Sequence, residues 1–369
     1  MDLMKLLASA GVGKAVEVEK KANEVMHTGN TGYGAEFIPD EVFASEIYDL
    51  VPQRARLLPL LPGFHGNKLP KTYTAPVVGL SVDDLLFQGK GEWTTGTASQ
   101  TEDDHSQSKV ETMNVTLAQV PFICEVNISD SQLKYNAVNT EEYVKRRLAD
   151  AMAYTVDFVI INGDSEAGAT GNVNSDDQAP ATTFAAQGGA KYAPTMIDHG
   201  IRELGINNSY TVNVGTLAAD DYAALLGVLG EYGERPEDCL FIQPVFVTAK
   251  MRTLDEFELM TNSGDRATIQ KGIIPTPYGV DVLQHRAVKL TEADGKRSAT
   301  GSNNTKGQIL AIYKPAIQYG FGQDFQLEVV RVPGYGWRLV ATFDFAFTIV
   351  DGGASLDNPS VAVGINVTV

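Results

Sequence analysis

Residues Asn139 to Asp164, NTEEYVKRRLADAMAYTVDFVIINGD, limit what this chain can become more than any other stretch. Asn139 suits a helix N-cap, and Glu142 stands three residues on, at capping-box spacing. Val144, Leu148, Ala151, Met152, Thr155, Val156 and Val159 recur at three- and four-residue steps and make one apolar stripe. Glu141 with Lys145 and Glu142 with Arg146 are i,i+4 pairs in the favourable order. Gly163 ends the pattern, so the spacing predicts a helix over 140–161, about 33 Å long at ~1.5 Å per residue. Its halves differ. Glu141, Glu142, Lys145, Arg146, Arg147 and Asp150 crowd the first half, and only Asp157 charges the second. One end is therefore read as wet or partner-facing and the other as core. A buried Asp157 would need a partner, with Arg202 and Arg331 as candidates; the reading favours a carboxylate facing solvent.

A chain of 369 residues has room for two or three lobes with real cores, and 43% apolar residues make it globular. The formal charge of −17 argues against a broad surface that grips phosphates or an anionic membrane. Cys124 and Cys239 lie far apart and read as two buried thiols of a reducing compartment rather than a disulfide. No apolar run has membrane-spanning length. The opening MDLMKLLASAGVGK has a short apolar core and an acid at Asp2, which reads as an intracellular N-terminus and not a signal peptide.

In order, Val16–Met26 suggests a short helix, and Pro39 starts another with Val42, Phe43, Ile47 and Leu50 at helical spacing. Strand patterns follow at Asn67–Val78 and Val110–Ile128. The second changes phase near Ala118, which predicts a bulge there, with Pro121 on an edge. Between them, Gly79–Lys109 is polar and aperiodic, too long for a structureless loop in a compact domain. It reads as an outward hairpin whose Leu85, Leu86, Phe87 and Trp93 are covered by a neighbouring molecule. After the long helix come helices at Met196–Leu204, Ala218–Leu229 and Arg252–Met260. Strands are expected at Leu240–Val247, interrupted by Pro244, and at Tyr278–Val288; Thr291–Gly307 is a polar loop. The end is β-rich, with strands at Gln308–Tyr313, Phe325–Val332, Trp337–Val350 and Val361–Val369.

Catalytic signals are sparse. The five histidines are scattered without metal-ligand spacing, and Asp103-Asp104-His105 reads as a solvated patch. Ser106–Lys109 fits S-x-x-K but lacks its companion motifs. P-loop, dinucleotide and G-x-S-x-G patterns are absent, and Gly320 and Gly322 read as turn glycines. The sequence thus points to no catalytic residue, cofactor or metal, and to no enzyme.

The order of these pieces resembles the major capsid protein family of tailed bacteriophages, with the Hong Kong 97-type shell fold. The resemblance lies in GAEFIPDEVFASEIYDLVPQRARLLPLL (Gly34–Leu61), VPFICEVNISDSQLKYN (Val120–Asn136), the helix ending in ING-D (Ile161–Asp164), LFIQPVFVTAKM (Leu240–Met251) and GYGWRLVATFDFAF (Gly334–Phe347). It implies an α+β fold in five parts. These are an N-terminal arm (1–63), an extended loop (64–112), a peripheral lobe with spine helix 140–161 (113–190), an axial or apical lobe (191–307), and C-terminal strands returning to the peripheral lobe (308–369).

It further implies a structural protein without cofactors that assembles with itself into hexamers and pentamers around double-stranded DNA. Leu85, Leu86, Phe87, Trp93, Arg146 and Arg147 become candidate intersubunit contacts. A separate scaffolding protein, a portal and a decoration protein are the implied partners, and no membrane. The implied location is the virion, after assembly in the host bacterial cytoplasm. Lys68, Lys71, Lys90 and Lys109 lie where some relatives crosslink, but none is assigned that role. Two other readings stand beside this one: an encapsulin-type compartment, which the long Gly79–Lys109 stretch disfavours, and a two-lobed enzyme or ligand-binding protein.

Overall fold

In the computed structural model the long helix, α1, runs from Thr140 to Asn162. The structure describes residues 55–78, 112–129, 140–167, 172–175, 180, 196–258, 274–322, 326–332, 336–350 and 359–368. The readings for residues 1–54, for Leu85, Leu86, Phe87 and Trp93, for Asp103–Lys109 and for Asn139 lie outside the described residues.

The halves of α1 differ as expected. Arg146, Arg147 and Ala151 are exposed beside buried Val144, Leu148 and Met152, whereas every residue from Val156 to Asp164 is buried. A helix buried all round has no polar side to turn outward. Asp157 is accordingly 1% exposed, which corrects the solvent-facing expectation.

Before α1 come β1 (Gly63–Phe64), β2 (Thr72–Val78), β3 (Thr112–Ala118) and β4 (Val120–Ser129). After it come α2 (Ile201–Asn207), β5 (Thr211–Asn213), α3 (Ala219–Val228), β6 (Cys239–Gln243), α4 (Val245–Arg252), α5 (Asp255–Glu258) and β7 (Asp281–Gln284). The chain closes with β8 (Lys306–Tyr313), β9 (Ile317–Phe321), β10 (Gln326–Val332), β11 (Gly336–Ile349) and β12 (Val361–Thr368).

The first sheet is built on β11. Its residues 336–342 pair with β10 on one side while 336–345 pair with β4 on the other, and 345–349 pair with β9, which also carries β1. The sheet's inner face, with Phe122, Ile128, Leu339, Ala341, Phe343 and Phe345, packs in one core with Val144, Leu148, Met152, Val156 and Val159 of α1. The second sheet has the order β5-β12-β8-β6-β7, and its central strands β12, β8 and β6 are buried on both faces. Leu240, Ile242, Leu310, Ile312, Val361 and Val363 join the core of α1 and the first sheet. Phe241, Ile309, Ala311 and Ala362 point the other way, onto Tyr222, Leu225 and Met251. Double burial explains why β8 reads as a nearly unbroken apolar run.

Several differences from the sequence reading have plain causes. The phase change at Ala118 is not a bulge. There β3 leaves β2 and the chain passes through Gln119 into β4, which pairs with β11. Pro121 does sit on an edge strand, since among the described residues β4 pairs only with β11. Pro244 interrupts no strand; it is the N-cap of α4. Gly320 lies inside β9, not in a turn, because a Cβ there would come within 2.3 Å of Leu69 Cδ1. The C-terminal strands divide: β9, β10 and β11 form the first sheet, and β8 and β12 belong to the second. β2 and β3 pair antiparallel from Thr72↔Ala118 to Val78↔Thr112, a ribbon whose base rests on Leu69, Leu117 and Ala346.

α2 starts at Ile201 rather than Met196 because its N-cap, Gly200, must touch the end of α1. Gly200 N–H donates to Gly163 O at 2.9 Å. A Cβ on Gly200 would lie 2.5 Å from Gly163 N and 2.9 Å from Ile160 O, both backbone atoms that cannot swing aside. Gly200→Ala is therefore expected to lower the stability of the unassembled subunit by about 1–3 kcal/mol. Urea denaturation checks this; an unchanged midpoint would contradict the close crossing.

Candidate functional site

The buried half of α1 carries two polar joints that fasten the rest of the subunit to it. At the first, the Asp157 carboxylate accepts from the backbone N–H groups of Arg56 (2.9 Å), Leu57 (3.3 Å) and Leu58 (3.4 Å). These belong to a strap, Ala55–Leu61, whose Leu57, Leu58 and Leu61 are buried in the main core. A fourth donor is His285, just past β7, with Nε2 at 3.1 Å from Asp157 Oδ2. Ala287 N–H donates to His285 Nδ1 at 3.1 Å, so Nδ1 bears no proton and Nε2–H points at the carboxylate. Tyr154 lies parallel to the His285 ring, and the Arg286 guanidinium sits 4.0 Å from the Tyr154 centroid. Neither Arg202 nor Arg331 serves Asp157. Arg202 is spent elsewhere, and Arg331 lies over the Trp337 ring.

The second joint is Arg202, completely buried. Its five N–H bonds meet Gln308 Oε1 (2.8 Å), Asn162 Oδ1 (2.8 Å), Asn174 Oδ1 (3.0 Å), Val173 O (3.2 Å) and Gly295 O (2.9 Å). All five acceptors are neutral, so burial pulls the guanidinium down to about 10, and it stays cationic at neutral pH. The ING-D ending of α1 is built for this joint. Asn162 also donates to Ala287 O at 3.1 Å, and Asp164 holds Val173 N–H at 2.7 Å and Glu166 N–H at 2.9 Å. Burial raises the carboxyl groups of Asp164 and Asp198 above their ordinary range, with nearby Glu203 adding to both. His199 Nδ1 lies 3.0 Å from Glu203 Oε2, a close approach rather than an aligned hydrogen bond.

The surface that faces away from these joints is the outer side of the first sheet. Register places Ile123, Glu125, Val330, Arg338, Val340 and Thr342 together there. Ile123 is 71% exposed and Val330 38%, beside the Glu125–Arg338 ion pair. Arg146 and Arg147 lie on the exposed part of α1, and the structure does not bring them to either joint. Leu85, Leu86, Phe87 and Trp93 are outside the described residues.

The sequence reading missed His285 and the strap amides. The signal was present: Phe158, Val159, Ile160 and Ile161 are four successive apolar residues, which leave no solvent side at Asp157. Cys239 is buried, but Cys124 is only half-buried, and neither forms a disulfide. Burial pushes the Cys239 thiol up to about 11. Among the described residues there is no group of three or more His, Cys, Asp or Glu that could hold a metal, and no helix long and apolar enough to cross a membrane.

Two outcomes follow from the joints. Arg202→Met strands oxygens of Asn162, Asn174, Val173, Gly295 and Gln308, at about 1–3 kcal/mol for each left unpaired. The expected loss is at least ~3 kcal/mol in urea denaturation, with Arg202→Lys recovering little because an ammonium cannot make the planar fork. Asp198 is the pH-dependent case. Folding raises its carboxyl, so its stabilising contribution is present in acid and is lost as pH rises through the folded-state value. Asp198→Asn should raise the melting temperature at pH 7, and the gap should close as pH falls to about 4. An equal gap at both pH values would contradict the assignment.

Comparison with known proteins agrees with this architecture. The family model described as the phage capsid family matches residues 37–296, well over half of the chain. A chain of Gordonia phage Cozz superposes with a TM-score of 0.51 at 13% identity, covering 84% of this chain and 86% of its own. A chain of Microbacterium phage Oxtober96 gives 0.50 at 16%, covering 84% and 90%. One of Mycobacterium phage Bobi gives 0.50 at 12%, covering 86% and 89%. Identities this low speak for the fold alone. No curated protein sequence matches. The family match extends over the strap, α1, the Asp157 joint and all of the Arg202 joint but Gln308, and so the chain belongs to the phage capsid family, as a structural shell protein of the virion and not an enzyme.

Proposed function

We propose that this chain is the major head subunit of a tailed phage, assembling into hexamers and pentamers of an icosahedral shell around double-stranded DNA. The observation that carries the reading is the family match over residues 37–296 on a subunit whose first sheet, among the described residues, exposes Ile123 and Val330 on its outer face. Such a face costs little when neighbours cover it, and many modest contacts add up in a closed shell. The charge of −17 suits a container wall that does not hold the packaged phosphates.

In this reading residues 1–63 are the arm, 64–112 the extended loop, and the first and second sheets the peripheral and axial lobes. Leu85, Leu86, Phe87 and Trp93 of one copy cover a neighbour, and Arg146 and Arg147 line a second contact. Scaffolding protein, portal and decoration protein are separate chains, met in the host cytoplasm. The family match works against both the encapsulin-type compartment and the two-lobed enzyme.

Electron microscopy of the expressed chain with its scaffold tests this. Closed shells are expected from wild type. Ile123→Asp and the Arg146→Glu, Arg147→Glu pair should lower particle yield at least about tenfold while the soluble subunit keeps its circular dichroism. A subunit that stays a discrete monomer or dimer under every assembly condition would overturn the proposal.

A further inference from the structure

The Asp157 joint ties together three segments far apart in sequence: the strap at 55–61, α1, and the loop after β7. The strap is held by the burial of Leu57, Leu58 and Leu61 and by three backbone donors, so its polar tie depends on the carboxylate and not on a strap side chain. The carboxyl group is 1% exposed, and a polar group buried this deeply depends on its hydrogen-bond donors. Among the described residues His285 supplies the one side-chain donor, Nε2–H, and it is itself fixed by Ala287 N–H. Ala287 O in turn accepts from Asn162 at the end of α1. The loop is therefore locked onto both the middle and the end of the helix. The strap's other polar tie is Tyr319 Oη–H donating to Leu58 O at 3.3 Å.

We propose that Asp157 is a shared clamp through which the loop His285–Ala287 controls the strap. While the loop lies against α1, His285 completes the donor shell and the carboxylate retains Arg56, Leu57 and Leu58. When the second sheet shifts and draws the loop away, the carboxylate loses a donor and opens to water. Water then competes with the strap amides, and the strap is released together with the N-terminal segment it carries. The position of the second sheet is thereby coupled to the attachment of the arm, a coupling between sites that works through one bistable contact. Its use in a shell that changes shape rests on the capsid reading; the coupling itself is a property of the single subunit.

Hydrogen exchange on the full-length, unassembled chain measures it. His285→Phe keeps the ring volume and removes the donor. Amides of Arg56, Leu57 and Leu58 should then exchange about tenfold faster, the effect of one lost hydrogen bond to a charged group. His285→Gln keeps an N–H and should stay near wild type at the same amides. Leu225→Ala, in the core on the far face of the second sheet, destabilises the subunit without touching the clamp and should leave the strap's exchange relative to that of β8 unchanged. Unchanged strap exchange in His285→Phe would overturn the proposal. So would the same acceleration in Leu225→Ala, which would make His285 merely one more stabilising residue. Neither result depends on whether particles form, so failure of the clamp and failure of the shell reading are distinguishable.

Discussion

A long helix with no solvent side from Val156 to its end must have every polar group there answered from within the protein, and that requirement arranges the subunit. Asp157 is answered by the strap and His285, and Asn162 and Asp164 by Arg202, Asn174 and the turn at Val173. Each answer comes from a different part of the chain. Covering the helix and assembling the tertiary fold are thus one event, and α1 is less an element packed on a core than the wall that both sheets share.

The two sheets meet that wall differently. The first turns one aromatic-rich face inward and, among the described residues, shows Ile123 and Val330 on the other. The second is covered on both faces of its central strands and is the more deeply buried. Among the described residues, one lobe is therefore covered more completely than the other. The acidic composition, with a formal charge of −17, argues against a broad surface that grips phosphates.

Much of this was legible in the residues. The helix, its wet and dry halves, its stop at Gly163 and the C-terminal strands all follow from periodicity, because a period records which side is buried. Periodicity does not record which partner does the burying. β8 and β12 therefore read as neighbours of β11 although they lie in the other sheet, and the break at Gln119 read as a bulge although the chain was changing partners. β9 escaped notice because Gly320 and Gly322 resemble turn glycines, whereas Gly320 is small to admit Leu69. Asp157 was misread for a related reason. Its neighbours said that no water was near, but its donors are backbone amides 99 to 101 residues before it and a histidine 128 residues after it. Arg146 and Arg147 were legible as exposed, since charge alone predicts that.

If α1 is the shared wall, neither sheet can melt without it. Differential scanning calorimetry of the soluble subunit asks this directly. The account predicts one transition, with the calorimetric enthalpy equal to the van't Hoff enthalpy. Two resolved transitions, with one sheet unfolding while the other keeps its structure, would contradict it.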